Sequence, residues 1–305
     1  PDRLPRRRAC REPDAGRRVT IWQAIFLGFL QGATELFPVS SLGHAVIVPT
    51  LLHWTYKQSD PTFLPFLVLL HLGTAGALLI LFWRDWVNII RGFFTAAVRG
   101  RIETTDERLA MLLVVGTVPT GVVGVFFQKQ LQGLFASPRV AASLLIVNGV
   151  LLLGSELLRR RAERLANLKG QDRAAQEEAF TEVSGLTYRK AGLVGACQVL
   201  ALFPGISRSG VTMGGGLLAG LRHQEAARFS FLLATPIIAG AGVIAVPDLF
   251  VPGVPLSSYL LGAVVAGLAA YASAKFLIRY FRSGRLDPYA YYCVAVGIVA
   301  LLLLR

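Results

Sequence analysis

Residues 35–48 read ELFPVSSLGHAVIV, and they interrupt one of the most apolar parts of the chain. A carboxylate, a proline, two serines, a glycine and a histidine lie between the apolar runs 21–30 and 45–52. Pro38 cannot continue an α-helix, and an ionisable group inside an apolar segment is costly. The stretch therefore predicts a broken helix whose polar groups have a function in an apolar surrounding.

The composition is that of a membrane protein. Of the 305 residues, 54% are hydrophobic and 16% are charged, and the mean hydropathy is +0.56. Apolar runs of roughly 16 to 20 residues are typical of transmembrane helices. We therefore predict an all-α integral membrane protein with about six full spans, at residues 63–82, 109–127, 140–158, 229–246, 259–278 and 289–304.

Positive charge lies mostly in the connectors between these spans. The formal net charge of +13 would suggest a nucleic-acid partner if the basic residues shared one soluble face. Instead, segments 84–108 and 159–190 are rich in Lys and Arg, whereas 247–258 contains neither. Cytoplasmic loops carry such an excess, so we predict that both basic segments are cytoplasmic and expect no nucleic acid to bind.

A second polar cluster repeats the first. Sliding the chain on itself places the LFP of residues 36–38 on the LFP of residues 202–204, and Ser41 on Ser207. Each cluster lies between two apolar helices and is followed by three predicted spans. Because three is an odd number, two re-entrant helix pairs would enter from opposite faces, which predicts an inverted repeat around a polar ligand.

The repeat defines one membrane domain with two halves. The predicted segments are a disordered basic tail, a first repeat, a charged cytoplasmic connector and a second repeat, at residues 1–18, 19–158, 159–187 and 188–305. Re-entry of residues 19–52 would leave the Arg-rich tail outside, against the positive-inside tendency, so a single crossing is the alternative. The helix breakers Pro38 and Gly43 favour re-entry.

The first polar cluster begins with two side chains that can act together. Gln31 and Glu35 are four residues apart, so on a helix they share one face and can point at one ligand. An ionisable residue inside an apolar segment is first interpreted as functional. A hydrogen-bonded glutamate that only packs is the alternative.

After Pro38 the chain restarts with small polar residues. Ser40, Ser41 and Gly43 suit the N-terminus of a helix, which on its own indicates capping. His44 lies three residues after Ser41 and can reach the Ser41 hydroxyl or the same ligand. We therefore expect this turn to take part in a reaction as well as to start a helix.

The second cluster, residues 203–216, reads FPGISRSGVTMGGG. Arg208 stands between Ser207 and Ser209, and Thr212 adds another hydroxyl. Backbone N–H groups at a helix N-terminus, short hydroxyls and a guanidinium together suit a phosphate. An arginine that snorkels or pairs with a carboxylate for structure is the alternative. The cluster predicts an anion site.

The two clusters together suggest a divalent cation. If the breaks meet near the membrane midplane, Glu35 and Arg208 meet as well. A carboxylate beside bound phosphate can hold a cation, with Gln31 as a neutral oxygen ligand. Mg²⁺ fits best, because it commonly takes one or two carboxylates and further ligands from substrate phosphates, and Ca²⁺ is the alternative.

These motifs resemble the undecaprenyl-diphosphatases of bacterial cell-wall synthesis, also called the bacitracin-resistance type. The resemblance rests on Gln31 and Glu35, on PVSSLGH at residues 38–44 and on PGISRSGVT at residues 204–212. It implies a multi-pass enzyme of the bacterial inner membrane, with a site opening to the periplasm, that releases the terminal phosphate of undecaprenyl diphosphate. At the first ligand position, where members of the family can have Glu, this chain has Gln31. A metal site with two carboxylates is therefore not expected, and Glu35 is the main charged ligand.

The predicted roles follow from the motifs and the resemblance. Ser41 is the candidate nucleophile, and His44 takes its proton or protonates a leaving oxygen. Direct attack by water, with Ser41 only positioning phosphate, is the alternative. The predicted catalytic residues are Glu35, Ser41, His44 and Arg208, and the metal ligands are Glu35 and Gln31. The predicted substrate-binding residues are Ser40, Gly43, Ser207, Ser209, Gly210 and Thr212.

A transporter or flippase of polyprenyl phosphate is the alternative function, since broken helices in an inverted repeat also suit anion transport. The pair of Ser41 and His44 favours the phosphatase, because a protein that only binds an anion does not require it. The expected partners are undecaprenyl diphosphate and membrane lipids, with a homodimer left open. His53 and His71 are interpreted as packing or interface residues.

Overall fold

The computed structural model describes residues 19–54, 60, 62–132, 137–168, 182–245 and 255–304. The predicted tail lies outside this part of the chain. Two single turns of 3₁₀-helix accompany the α-helices, at Val183–Gly185 and Leu200–Leu202. The α-helices of the described ranges are α1 (Ile21–Glu35), α2 (Ser41–Leu51), α3 (Phe63–Leu81), α4 (Trp83–Arg99), α5 (Thr105–Gln132), α6 (Pro138–Leu168), α7 (Tyr188–Val199), α8 (Arg208–Leu218), α9 (His223–Ala245), α10 (Leu256–Tyr280) and α11 (Asp287–Leu303).

The helices α3, α5, α6, α9 and α10 are long and apolar enough to cross a membrane. They coincide with five of the six predicted spans. The sixth predicted span corresponds to α11, which is apolar but has 17 residues. At 1.5 Å per residue, α11 is about 25 Å long, slightly less than a hydrocarbon core. The prediction of an all-α, multi-pass membrane protein is confirmed.

The basic segment 84–108 is more than a connector, because most of it forms α4. Ile89 and Ala96 are buried against the bundle, and α4 packs on α5. Ile90 and Phe94 are 50% and 62% exposed on another face of the same helix. The segment therefore has the periodicity of an amphipathic helix. Its arginines led to its interpretation as a connector, because only its charge was considered.

The predicted boundary after residue 158 lies inside a helix, since α6 continues to Leu168. Arg159 is buried, and its guanidinium donates to the carbonyl oxygens of Leu217 and Leu221 at 3.4 and 3.0 Å. The Leu217 carbonyl belongs to the last turn of α8, where helix carbonyls lack intrahelical N–H partners, and Leu221 follows shortly after the end of the helix. The start of the predicted connector therefore belongs structurally to the membrane domain.

Both predicted breaks are present. The first break separates α1 from α2, and the Ser40 Oγ caps α2 by accepting from the Gly43 N–H at 3.2 Å. Ser40 has a φ of +66°, a left-handed conformation that is strained for a residue with a side chain. The second break precedes α8, where the Ser207 Oγ accepts from the Gly210 N–H at 3.1 Å.

Helices of each half pack on helices of the other half. The helix α1 of the first half packs chiefly on α10 of the second, and α7 of the second half packs chiefly on α5 of the first. A Cβ atom at Gly28 would lie 2.3 Å from the Gly262 carbonyl oxygen, so α1 and α10 are in backbone contact there. This packing agrees with a repeat, while the opposite orientation of the two halves stays a prediction.

Candidate active site

The last residue of α1 is the centre of a polar cluster that both breaks supply. Glu35 is 6% exposed, and its Oε1 accepts from the Arg208 Nη2 at 2.5 Å. Its Oε2 accepts from the Ser41 hydroxyl at 2.5 Å and from the Gln31 Nε2 at 3.0 Å. The structure therefore brings together four of the residues that the sequence singles out.

A histidine that was not predicted to belong to the site also contacts the Glu35 carboxylate. The Nε2 atom of His71, on α3, lies 3.3 Å from the Glu35 Oε2. Its Nδ1 atom is 2.7 Å from the Leu67 carbonyl oxygen, which can only accept, so Nδ1 donates. The assignment of His71 to packing or an interface therefore needs correction. An ionisable residue within the apolar run 63–82 was the signal that could have identified it.

His44 lies in α2 as predicted, but its described contacts do not include Ser41. Its Nδ1 is 2.7 Å from the Ser40 carbonyl oxygen, one helical turn earlier, and must donate to it. In a neutral ring, Nε2 then accepts from the Tyr292 hydroxyl at 2.9 Å. Both ring nitrogens therefore have partners other than Ser41, and the acceptor of the Ser41 hydroxyl hydrogen bond is Glu35. The catalytic role of His44 stays a prediction.

The hydroxyls of the second break are buried and have partners within the protein. The Ser209 Oγ donates to the Phe37 carbonyl oxygen at 2.9 Å, which joins the two breaks. The Thr212 Oγ1 donates to the Arg208 carbonyl oxygen at 2.7 Å and lies 2.5 Å from the Ser230 Oγ. With Ser207 acting as the cap of α8, these hydroxyls hold the break together. Their contact with phosphate stays a prediction.

Two glycines that were assigned to substrate binding also have structural roles. The N–H groups of Gly43 and Gly210 donate to the capping serines of their helices. A Cβ atom at Gly43 would lie 3.1 Å from the Gly205 Cα, so the start of α2 and the second break are in close contact. Both helix N-termini therefore lie beside the Glu35 cluster.

Two polar atoms of the cluster are buried and have no hydrogen-bond partner within the described part of the chain. These atoms are the Arg208 Nη1 and the Gln31 Oε1. An unsatisfied buried polar atom costs roughly 1–3 kcal/mol, and such atoms are expected where a ligand binds. One is a cationic donor and the other is a neutral acceptor. They suit an anion and a cation, respectively.

Both breaks lie within a stretch of sequence that matches a known protein family. The family described as "Bacitracin resistance protein BacA" matches residues 24–299, a range that contains both breaks. The chain belongs to the BacA family. The resemblance predicted from the motifs is thereby confirmed.

Curated relatives of this BacA-family chain carry the name "Undecaprenyl-diphosphatase". The protein of Mycolicibacterium paratuberculosis is 46% identical over 287 residues, which cover 90% of this chain and 94% of the relative. The protein of Acidiphilium cryptum is 47% identical over 288 residues, 92% of this chain and 97% of the relative. The protein of Granulibacter bethesdensis is 48% identical over 286 residues, with 92% and 95% covered.

Proposed function

We propose that this BacA-family protein hydrolyses undecaprenyl diphosphate to undecaprenyl phosphate and inorganic phosphate within a bacterial membrane. The proposal rests on the names of its relatives and on one structural observation. That observation is the buried contact of Glu35 with both Ser41 and Arg208. This contact supports the proposal, because it brings a hydroxyl, a carboxylate and a guanidinium into one group.

The cluster is suited to the diphosphate group of a lipid. The Nη2 of Arg208 contacts Glu35, while its buried Nη1 keeps a donor for a phosphate oxygen. The N-termini of α2 and α8 add partial positive charge beside it. Because these groups are largely shielded from water, their attraction to phosphate is stronger than at a surface. The isoprenoid chain would remain among apolar helix surfaces.

The Ser41 hydroxyl is the proposed nucleophile and Glu35 its general base. Ser41 Oγ attacks the terminal phosphorus, and the bond from that phosphorus to the bridging oxygen breaks. Undecaprenyl phosphate leaves with the bonding electron pair, and the Glu35 Oε2, 2.5 Å from the hydroxyl, receives the proton. Arg208 neutralises charge on the transferring phosphoryl group.

Hydrolysis of the phosphoserine completes the reaction. Glu35 first loses its proton to the departing phosphate, and the carboxylate then accepts a proton from water. The water oxygen attacks the phosphorus, and the bond to Ser41 Oγ breaks with its electron pair on that oxygen. Glu35 returns the proton to Ser41 Oγ, so inorganic phosphate is released and both the serine hydroxyl and the carboxylate are restored. The alternative is direct attack by water, with Ser41 holding the phosphate in place.

The residues present fit a sparsely held Mg²⁺ ion, with Ca²⁺ as the alternative. The buried Gln31 Oε1 has no partner within the described residues and lies on the same helix face as Glu35. The described ranges contain no cluster of three His, Cys, Asp or Glu side chains. We therefore propose Gln31 and Glu35 as protein ligands, with further ligands from phosphate and water. Such a cation neutralises the diphosphate when it is bound.

We place the protein in the inner membrane, with the site opening to the periplasm. The support is the Lys- and Arg-rich content of segments 84–108 and 159–190, which favours a cytoplasmic position for both. A homodimer stays a prediction. The transporter alternative is not favoured, because the relatives are named diphosphatases and anion binding alone does not require the contact between Ser41 and Glu35.

Phosphate release in detergent tests the function without a contribution from transport, since detergent solution has no second compartment. We expect purified protein to release phosphate from undecaprenyl diphosphate but not from undecaprenyl phosphate, and EDTA to lower the rate. Lipid binding that requires Arg208, without phosphate release, would overturn the proposal and favour transport.

A further inference from the structure

One buried amide side chain contacts both breaks. Asn148 lies on α6, outside either break, and is 0% exposed. Its Nδ2 donates to the Pro38 carbonyl oxygen at 3.0 Å, and its Oδ1 accepts from the Ser207 N–H at 2.9 Å. An asparagine amide has both a donor and an acceptor, so one side chain satisfies both backbone groups.

The two backbone groups lie at positions that determine the geometry of the active site. Pro38 lies in the turn between Glu35 and Ser41, and Ser207 is the N-cap directly before Arg208. A buried backbone group without a partner is costly. Removal of the amide would therefore leave the Ser207 N–H without its partner, and the Pro38 carbonyl oxygen with only the weak donor Cys293 Sγ, 3.7 Å away.

Asn148 also connects the breaks to two helices that pack on each other. The helix α6 packs extensively on α11, and the Cys293 Sγ of α11 lies 3.3 Å from the Asn148 Nδ2. In contrast, the Ser209 hydroxyl that reaches the Phe37 carbonyl belongs to the second break itself. The amide therefore fixes both breaks relative to a membrane-spanning helix, which a contact between the two breaks cannot do.

We propose that Asn148 is a positioning residue for phosphoryl transfer, an inference that rests on the proposed function. It holds the first break, with Glu35 and Ser41, in register with the second break, which carries Arg208. Nucleophile, base and cation come from different breaks, so a small shift of one break separates them. Misplacement of reacting groups by about 1 Å can lower a rate about 100-fold.

The test uses three substitutions and a matched control on the same helix. Asn148→Leu keeps the approximate volume and removes both hydrogen bonds, and Asn148→Ala also leaves a cavity. Asn148→Asp keeps an oxygen for the Ser207 N–H and removes the amide donor. The control is Ser155→Ala, because Ser155 is also buried on α6 and its Oγ donates to Leu152 of the same helix at 2.8 Å.

Steady-state kinetics distinguish positioning from a general loss of folded protein. We expect kcat to fall about 100-fold in Asn148→Leu, with KM changed less than about threefold, and a smaller fall in Asn148→Asp. Wild-type kcat in a folded Asn148→Leu variant would overturn the inference. The inference would also be overturned if Asn148→Asp yielded less folded protein but each folded molecule had the wild-type kcat.

Hydrogen–deuterium exchange gives a second readout that does not depend on turnover. In protein without substrate, we expect peptides covering residues 36–44 and 203–210 to exchange faster in Asn148→Leu than in Ser155→Ala. Equal exchange in both breaks would overturn the inference. An inactive wild-type protein would contradict the proposed function instead. The exchange rates would then still test whether Asn148 holds the two breaks in place.

Discussion

At the scale of single residues, two of the contacts of Glu35 have different chemical consequences. Its Oε1 is paired with Arg208, and its Oε2 accepts from Ser41. The first contact offsets the cost of burying both charges, and the second prepares a proton transfer. A single carboxylate can therefore assemble the site before substrate binds and take part in the reaction afterwards.

Replacing Glu35 by glutamine tests whether the carboxylate is required for the reaction. Glu35→Gln retains the size of the side chain but removes the negative charge and the base, so phosphate release should fall at least about 100-fold. The measurement is the initial rate of phosphate release at saturating substrate. Glu103→Gln, at a half-exposed surface carboxylate paired with arginines, is the matched control and should keep the wild-type rate. An active Glu35→Gln variant would show that Glu35 is not the base.

The role of Ser41 can be tested by trapping the enzyme during turnover. If Ser41 is the nucleophile, acid quenching with substrate labelled in the terminal phosphate should leave label on the wild-type protein. Ser41→Ala should carry no label and should lose phosphate release about 1,000-fold or more. Ser273→Ala, at a buried serine of α10, is the control. Unlabelled wild type together with an active Ser41→Ala variant would favour direct attack by water.

At the scale of elements, the close contact of α1 with α10 supports the first break. A Cβ atom at Gly28 would lie 2.3 Å from a backbone oxygen of Gly262, which cannot move independently of its helix. Gly28→Ala should therefore push the helices apart and destabilise the protein by roughly 1–3 kcal/mol. Since α1 carries Glu35, a loss of activity should accompany the lower stability.

Gly76→Ala is the matched control for this prediction, because nothing lies within 4 Å of a Cβ atom at Gly76 in α3. Alanine has a higher helix propensity than glycine, so this variant should be as stable as wild type or slightly more stable. Thermal unfolding in one detergent, followed by circular dichroism, measures both variants. Equal midpoints for Gly28→Ala and Gly76→Ala would contradict the tight contact.

The sequence predicts those elements whose signal lies in neighbouring residues of the chain. Both breaks follow from Pro, Gly and Ser inside apolar runs, and five spans follow from length and hydropathy. The amphipathic helix α4 was missed because its charges suggested a loop. Partners distant in the chain leave no such local signal, as Tyr292 shows by contacting His44 across 248 residues. Asn148 is a second case, since its partners Pro38 and Ser207 lie 110 and 59 residues away in the chain.

At the scale of the whole molecule, the active-site cluster depends on both halves of the chain. Glu35 and Ser41 come from the first half, whereas Arg208 comes from the second. The halves also exchange packing partners, since α1 contacts α10 and α7 contacts α5. Neither half alone supplies all the residues of this cluster, which agrees with the prediction of one membrane domain.

The most direct test of the account is phosphate release from undecaprenyl diphosphate by wild type, Arg208→Ala, Arg208→Lys and the surface control Arg101→Ala. We expect Arg208→Ala to lose about 1,000-fold in rate, and Arg208→Lys to recover only part of it, because lysine keeps the charge without the planar fork. Arg101→Ala should match wild type, since the Arg101 side chain is 73% exposed. A folded Arg208→Ala variant with the wild-type rate would contradict a site shared between the two breaks.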